Sequence, residues 1–220
     1  MSKIELIDLH SHSLLSDGVL LPSELVRRYV VNGFKAVAIT DHVDSSNIDF
    51  IIKALVNVST QLNKYWNIKV VPGVELTHIP LEQFKSLTKY ARKKGAKIII
   101  AHGQSPVEPV LEGTNRAAIE AGVDILAHPG SIVKADAQLA AKKKVSLEVT
   151  TRRGHLLGNA HVVKMAKSES AKLVIDSDSH TPENIPNRKQ FEAVAKKALL
   201  SKKDLENCFR NSWNILNRVF

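Results

Sequence analysis

The chain has 220 residues, of which 44% are hydrophobic and 24% are charged, values that exclude a disordered or fibrous protein. Its single cysteine excludes an internal disulfide, and no stretch approaches the ~20 apolar residues of a membrane span. The N-terminal residues carry acids where a signal peptide needs an apolar core, so we expect a cytoplasmic protein with no membrane partner. The formal net charge of +9 allows nucleic acid or a small acidic substrate as a partner.

Short β-rich runs alternate with helical patterns along the whole chain. The predicted strands span residues 4–10, 36–40, 69–76, 97–102, 124–128, 145–149 and 173–177. The predicted helices span residues 22–32, 48–66, 81–94, 115–121, 134–143 and 159–167. The last residues, 189–220, have the pattern of one or two further helices that pack on the outside.

This alternation predicts an α/β fold with parallel strands and helical crossovers. Periodicity alone leaves both a doubly wound sheet and a closed barrel open. The turn after the first strand reads HSHSLLSDG rather than a glycine-rich fingerprint, which disfavours a dinucleotide-binding fold. No linker or low-complexity tract divides the chain, so one domain over residues 1–220 is expected.

Histidines and acids are concentrated where the predicted strands end. Six of the nine histidines stand at these tips, together with two acids: His10, His12, His42, His102, His128 and His180, with Glu75 and Asp178. In a parallel barrel all these tips open on one face. Imidazoles and carboxylates gathered there would stay unsatisfied without a cation among them. The pattern therefore predicts a divalent metal site.

The motifs that contain these residues resemble those of the PHP family, which is named for polymerase and histidinol phosphatase. The resemblance extends from His10 to His180 and implies a distorted, TIM-like (β/α)7 barrel with a trinuclear divalent metal site. It implies nine metal ligands, with an acid at the third position: His10, His12, Asp17, His42, Glu75, His102, His128, Asp178 and His180. Segments 73–78 and 153–159 resemble a histidinol phosphatase-like branch of the family.

The ligand set also indicates the chemistry. Mixed histidine and carboxylate ligands suit Zn, Mn or Fe. About three divalent ions on three acids would leave a surplus of roughly three positive charges, which suits a phosphate monoester dianion. We therefore expect hydrolysis of a small phosphomonoester by metal-activated water, with histidinol phosphate as the named possibility.

Four further residues are candidates for direct contact with the substrate, and we favour three of them. Arg152, Arg153 and His155 follow the strand 145–149 in the loop expected over the site, and a guanidinium there could bind phosphate. Of the two arginines we favour Arg153. His78, just past Glu75, could donate a proton. The expected catalytic residues are therefore His78, Arg153 and His155.

Other acids lie beside the predicted ligands. Asp8, Asp41 and Asp176 either orient imidazoles or bond to backbone and barrel interior. Glu148 either positions a ligand or substrate, or forms a structural salt bridge.

Two other functions remain open at this point. One is a phosphodiesterase or nuclease, which the basic charge favours; against it, aromatic residues make up only 5% and none interleaves with the basic clusters. The other is a noncatalytic RNA-binding scaffold, which the complete ligand set disfavours.

Overall fold

The strands described in this computed structural model, which covers residues 4–219, are short, parallel and buried. They are β1 (Ile7–Asp8), β2 (Ala36–Ile39), β3 (His42–Val43), β4 (Lys69–Leu76), β5 (Ile98–His102), β6 (Ile125–Ala127), β7 (Ser146–Thr150) and β8 (Leu173–Asp176). Both faces of most strands are covered, which explains their nearly continuous apolar sequence.

These strands fill seven strand positions of a nearly closed barrel. Their order is β1-β2-β4-β5-β6-β7-β8, and β3 also pairs with β4. Since β2 and β3 pair with successive parts of β4, they together occupy one strand position in the barrel. The barrel closes at a seam between β1 and β8. There the amide of His12 donates to the carbonyl of Ser179 (2.8 Å), and the amide of Asp178 donates to the carbonyl of His10 (2.9 Å). The predicted seven-stranded barrel is confirmed, and the open sheet is excluded.

Side chains replace part of the hydrogen-bond ladder at this seam. The amide of Leu9 donates to Asp176 Oδ1 (2.7 Å), and the amide of Ser177 donates to Asp8 Oδ1 (3.1 Å). The hydroxyl of Tyr29 donates to Asp8 Oδ2 (2.9 Å). β1 is therefore shorter than the predicted run 4–10. Asp8 accepts from backbone amides and a hydroxyl, and Asp176 accepts from a backbone amide, so of the alternatives drawn from the sequence the structure supports bonding to the backbone and barrel interior.

The helices cover the outside of the barrel. They are α1 (Pro22–Val31), α2 (Ile48–Tyr65), α3 (Phe84–Lys94), α4 (Thr114–Ala121), α5 (Lys134–Lys143), α6 (Asn159–Glu169), α7 (Arg188–Lys197) and α8 (Lys202–Val219). Among residues 4–219, no helix combines the length and apolar content needed to cross a membrane.

The C-terminal segment contains two of these helices, as predicted. Both α7 and α8 bury apolar faces, and α8 packs against β1 and β8 near the seam. The predicted domain, residues 1–220, extends beyond the described residues at both ends, so its bounds stay a prediction.

Candidate metal centre

The C-terminal ends of the strands bring all nine predicted ligands to one face. His10 and His12 follow β1, Asp17 lies in the next turn, His42 begins β3, Glu75 lies in β4, His102 ends β5, His128 follows β6, and Asp178 and His180 follow β8. Most of these side chains are buried, whereas the side chain of Asp17 is about half exposed. Residues from six of the seven strand positions and from one turn thus surround one mouth of the barrel.

Glu75 lies at the centre of the group. Its Oε2 is 3.3 Å from His10 Nε2, 3.5 Å from His12 Nε2 and 2.9 Å from His42 Nδ1. Its Oε1 is 3.9 Å from His128 Nε2. A carboxylate that faces four imidazoles with two oxygens could help to hold more than one cation.

The other two acids also lie close to imidazoles of this group. Asp178 Oδ1 is 3.2 Å from His12 Nε2. Asp17 Oδ1 is 3.6 Å from His42 Nε2, and its Oδ2 is 3.2 Å from His180 Nε2. The acids therefore alternate with the imidazoles across the mouth.

Donor atoms within 4.8 Å of one another define several sets that could hold a metal ion. The sets that contain predicted ligands are His12, Asp17, His42 and His180; His10, His12 and Asp178; His10, Glu75 and His128; His102, His128 and His155; and His78, His102 and Glu108. Overlap between the sets is consistent with a centre of more than one ion.

Buried atoms without hydrogen bonds show that a cation fits this site. Within residues 4–219, no hydrogen-bond partner is found for His10 Nε2, both ring nitrogens of His12, both oxygens of Glu75, and Nδ1 of His102 and His128. An unsatisfied buried polar group costs about 1–3 kcal/mol. Since these atoms are imidazole nitrogens and carboxylate oxygens, divalent ions would satisfy them.

The acids and imidazoles of the site shift one another's pKa values. Burial raises the pKa of Glu75, but the positive charges of His10 and His42 outweigh it and hold the pKa well below its usual range. Burial, together with repulsion from His42, lowers the pKa of His12 to about 3. Burial also holds the pKa of His128 well below its usual range. Glu75 is thus ionised and His12 and His128 are neutral, which are the forms that bind metal. At His10 and His42 the neighbouring acids outweigh burial and raise the pKa, so these two rings must release a proton when a metal binds.

Glu148 connects two of the candidate ligands from behind. Its Oε1 lies 2.7 Å from His10 Nδ1, and its Oε2 accepts a hydrogen bond from the backbone amide of His128 (2.8 Å). This contact fixes which nitrogen of His10 faces the other ligands. Of the alternatives drawn from the sequence, the structure supports the positioning of a ligand.

Of the two alternatives drawn from the sequence for Asp41, the structure supports hydrogen bonding to backbone. Asp41 accepts hydrogen bonds from the amide (2.8 Å) and hydroxyl (2.7 Å) of Ser13 and from the hydroxyl of Ser16 (2.7 Å). It holds the turn that carries Asp17.

The ligands open into a cleft of about 330 Å³. It is lined by Asp17, His42, Thr77, His78, His102, Glu108, His128, Arg152, His155, Asp178 and His180. His155 is buried and its ring stacks on that of His128, with 4.0 Å between centroids. His78 is exposed at the rim, 5.2 Å from the ring of His102. The structure thus brings both histidines to the cleft as predicted.

The two adjacent arginines point to different places. Arg152 lines the cleft, with its Nε 4.0 Å from Asp178 Oδ2 and its guanidinium bonded to Asn184 (3.0 Å). Arg153 is exposed and lines a separate depression. The cause is local, since Arg152 has extended backbone angles while Arg153 begins the short 3-10 helix Arg153–Gly158. The structure therefore does not bring Arg153 to the cleft.

Glu108 lies in the cleft but did not emerge from the sequence. Its Oε2 is 2.8 Å from His102 Nε2, and its Oε1 is 3.3 Å from His155 Nε2. It belongs to the loop 103–113 between β5 and α4, which has no strand register to indicate where an acid would point.

A nearly closed parallel barrel with imidazoles and carboxylates at its C-terminal mouth belongs to the class of metal-dependent barrel hydrolases. The chain belongs to the PHP domain family, which matches residues 8–207. It is therefore a metal-dependent phosphoesterase, and the family predicted from the motifs is confirmed.

Three comparisons place the chain among known proteins. It is 43% identical over 202 residues to an uncharacterized protein of Methanocaldococcus jannaschii, with 91% of this chain and 93% of that one covered. It is 24% identical over 220 residues to the DNA polymerase/3'-5' exonuclease PolX of Bacillus subtilis, covering 91% of this chain but 38% of PolX. The fold resembles histidinol phosphate phosphatase of Lactococcus lactis in complex with zinc, L-histidinol and phosphate (TM-score 0.62, 16% identity, 89% and 94% of the chains).

Proposed function

We propose that this chain hydrolyses a small phosphomonoester, with histidinol phosphate as the first substrate to test. The observation that carries the proposal is the cleft of about 330 Å³, which joins the candidate ligands to Arg152 and two histidines. That volume suits a metabolite-sized ligand, at the lower end of small-molecule sites. The histidinol phosphate phosphatase of Lactococcus lactis, which has the same fold, binds L-histidinol and phosphate.

In this proposal the nine candidate ligands hold up to three divalent ions of Zn, Mn or Fe. When bound, such ions supply Lewis acidity, which activates water and neutralises charge on phosphate. The ligand residues are the predicted set: His10, His12, Asp17, His42, Glu75, His102, His128, Asp178 and His180. Buried, unsatisfied donor atoms in five of these residues, His10, His12, Glu75, His102 and His128, support this assignment.

The remaining cleft residues act on the substrate directly. Arg152 binds phosphate oxygens, since its guanidinium lies beside Asp178 and is held by Asn184. His155 and His78 lie at the cleft beside the ligands and donate the proton that the leaving alkoxide needs. Burial lowers the pKa of each of these two histidines, so near pH 7 each is mainly neutral. Such a ring takes up a proton first, for instance the one that the attacking water releases, and then passes it to the leaving alkoxide.

A phosphodiesterase or nuclease is the second candidate, because the match to PolX covers 91% of this chain. The small cleft disfavours a polynucleotide substrate. The two candidates differ in whether the scissile phosphate carries one ester bond or two.

Steady-state assays on metal-loaded protein test the proposal. We expect turnover of histidinol phosphate and p-nitrophenyl phosphate, with little turnover of bis-p-nitrophenyl phosphate or end-labelled single strands. The matched variants are His12→Gln in the site and His161→Gln on the exposed face of α6. Activity should disappear in the first and persist in the second. Preference for the diester or the labelled strand would replace the proposal with the nuclease.

A further inference from the structure

The end of the barrel opposite the metal centre carries a group of lysines. Lys35 immediately precedes β2, Lys69 begins β4, and Lys97, Lys144 and Lys172 lie within two residues of the starts of β5, β7 and β8. All five are exposed. The N-terminal ends of parallel strands meet at one end of a barrel, so these residues form one basal face.

This face is far from the catalytic mouth. Lys69 and Glu75 lie on the same strand, six residues apart, which at ~3.3 Å per residue is about 20 Å. The lysines also belong to neighbouring strands, since the amide of Lys69 donates to the carbonyl of Lys35 (2.9 Å). The basal face is therefore a separate surface from the cleft.

Few carboxylates offset this charge. Counting all seven strands of the barrel order, the acids in the two residues that precede a strand are Glu5, before β1, and Asp124, before β6. Asp124 is already paired with Arg92 (3.0 Å). Among residues 4–219, no ion pair within 4.0 Å is found for the amines of the four lysines Lys35, Lys97, Lys144 and Lys172. The basal face therefore carries a large share of the net charge of +9.

Helix α8 crosses this face between two open grooves. The first, of about 640 Å³, contains Lys35 and Lys69 together with Trp66 and Trp213. The second, of about 370 Å³, contains Lys144, Lys172 and Arg218, with Asn211 and Asn214. Both grooves carry basic and amide side chains, and the first also contains Glu5; of the two, only the first contains aromatic rings.

The two tryptophans are the only ones in the chain, and the fold brings them together from positions 147 residues apart. Both are half-buried in the wall of the first groove. Trp213 is held by a hydrogen bond from its Nε1 to the carbonyl of Glu5 (3.0 Å), and Lys69 Nζ lies 6.0 Å from the Trp213 ring. Indole rings thus lie beside amines in an open groove.

We propose that the basal face binds single-stranded nucleic acid. Lysines at the starts of neighbouring strands can neutralise successive phosphates, and indoles near them can stack on bases. Stacking requires unpaired bases, which disfavours a duplex. The indoles form the wall of a groove with Asn63 and Asn67 and do not project as an apolar patch, which disfavours a membrane. This binding does not depend on the proposed phosphatase activity.

Tryptophan fluorescence reports directly on this groove. We expect an oligonucleotide of about 12 unpaired bases to quench the emission of protein treated with chelator, in which hydrolysis is suppressed. Trp66→Phe and Trp213→Phe each leave a single reporter, and both should still respond. If six cations contact phosphates, log K against log salt should have a slope of about −4, from −0.7 per contact.

Charge reversal with a matched control separates this site from general attraction. Lys35→Glu with Lys172→Glu changes one residue in each groove and should weaken binding at least about ten-fold. Lys85→Glu with Lys89→Glu makes the same change in charge on the exposed face of α3 and should have a much smaller effect.

Several outcomes would overturn the proposal: no quenching at about 50 mM salt, an equal loss in both double variants, or competition by inorganic phosphate as effective as that by the oligonucleotide. Stronger binding to anionic vesicles than to the oligonucleotide would assign the face to a membrane. None of these results bears on turnover of phosphomonoesters, which the cleft variants test separately.

Discussion

Replacement of Glu148 by glutamine tests whether the acid behind the metal centre determines its affinity. Glu148 is fully buried, and its two oxygens contact His10 Nδ1 at 2.7 Å and the amide of His128 at 2.8 Å. Glutamine keeps the shape, but it removes the charge and has only one acceptor oxygen. One of the two donors therefore loses its partner, and the orientation of His10 is less well fixed.

The expected magnitude follows from these two contacts. Loss of a partner that orients a metal-bound histidine lowers metal affinity about 10–100-fold, or about 1.4–2.8 kcal/mol. Alanine would leave both donors unsatisfied, at about 1–3 kcal/mol each, a large part of the 5–15 kcal/mol that is usual for a domain. Glu148→Gln is therefore expected to fold, whereas Glu148→Ala is expected to be unstable.

The assay is competition for metal against a chromophoric chelator, with thermal unfolding followed by circular dichroism on the same samples. Glu82→Gln, on an exposed residue, is the matched control and should bind metal like the wild type. The reasoning is refuted if Glu148→Gln keeps wild-type affinity while its melting temperature is unchanged.

Three further predictions concern the cleft wall and the core. Arg152→Ala should lower kcat/KM for a phosphomonoester about 10–100-fold, because a charge-assisted hydrogen bond contributes about 1.5–3 kcal/mol. Arg153→Ala should change kcat/KM little. Equal effects of the two substitutions would contradict the placement of the two side chains. Gly158→Ala should lower the melting temperature, since its Cβ would lie 2.5 Å from the backbone of the facing loop, whereas Gly154→Ala, with open space around its Cβ, should not. Burial raises the pKa of the Cys208 thiol to about 12. The thiol should therefore resist a thiol reagent at about pH 8 until denaturant is added. Rapid reaction of the native protein would show that the thiol is accessible.

The convergence of the nine candidate ligands could be predicted because it depends on strand register. Each of these residues lies at or just beyond the end of a strand, except Asp17 in the adjoining turn, and the ends of parallel strands share one face. Glu108 could not be predicted, since it lies in a loop of irregular structure. The choice between Arg152 and Arg153 failed for a related reason: it depends on backbone angles at the junction between a strand and a 3-10 helix.

Two other features depend on contacts between distant segments. The first strand is short because Asp8 and Asp176 replace part of its ladder, a substitution that no local pattern indicates. The aromatic residues do not interleave with basic clusters in sequence, yet the fold places Trp66 and Trp213, from two helical segments, beside Lys35 and Lys69 at the starts of two strands. Spacing in the sequence therefore predicts the catalytic mouth well and the basal face poorly.

The most direct test of the proposed metal centre is the paired measurement of metal content and phosphomonoesterase activity in wild-type protein and Glu75→Gln. Because Glu75 faces four imidazoles at the centre of the group, the substitution should lower the number of ions retained, as determined by plasma mass spectrometry, and abolish turnover, with circular dichroism near that of the wild type. A folded Glu75→Gln variant that retains wild-type metal content and full activity would contradict the account.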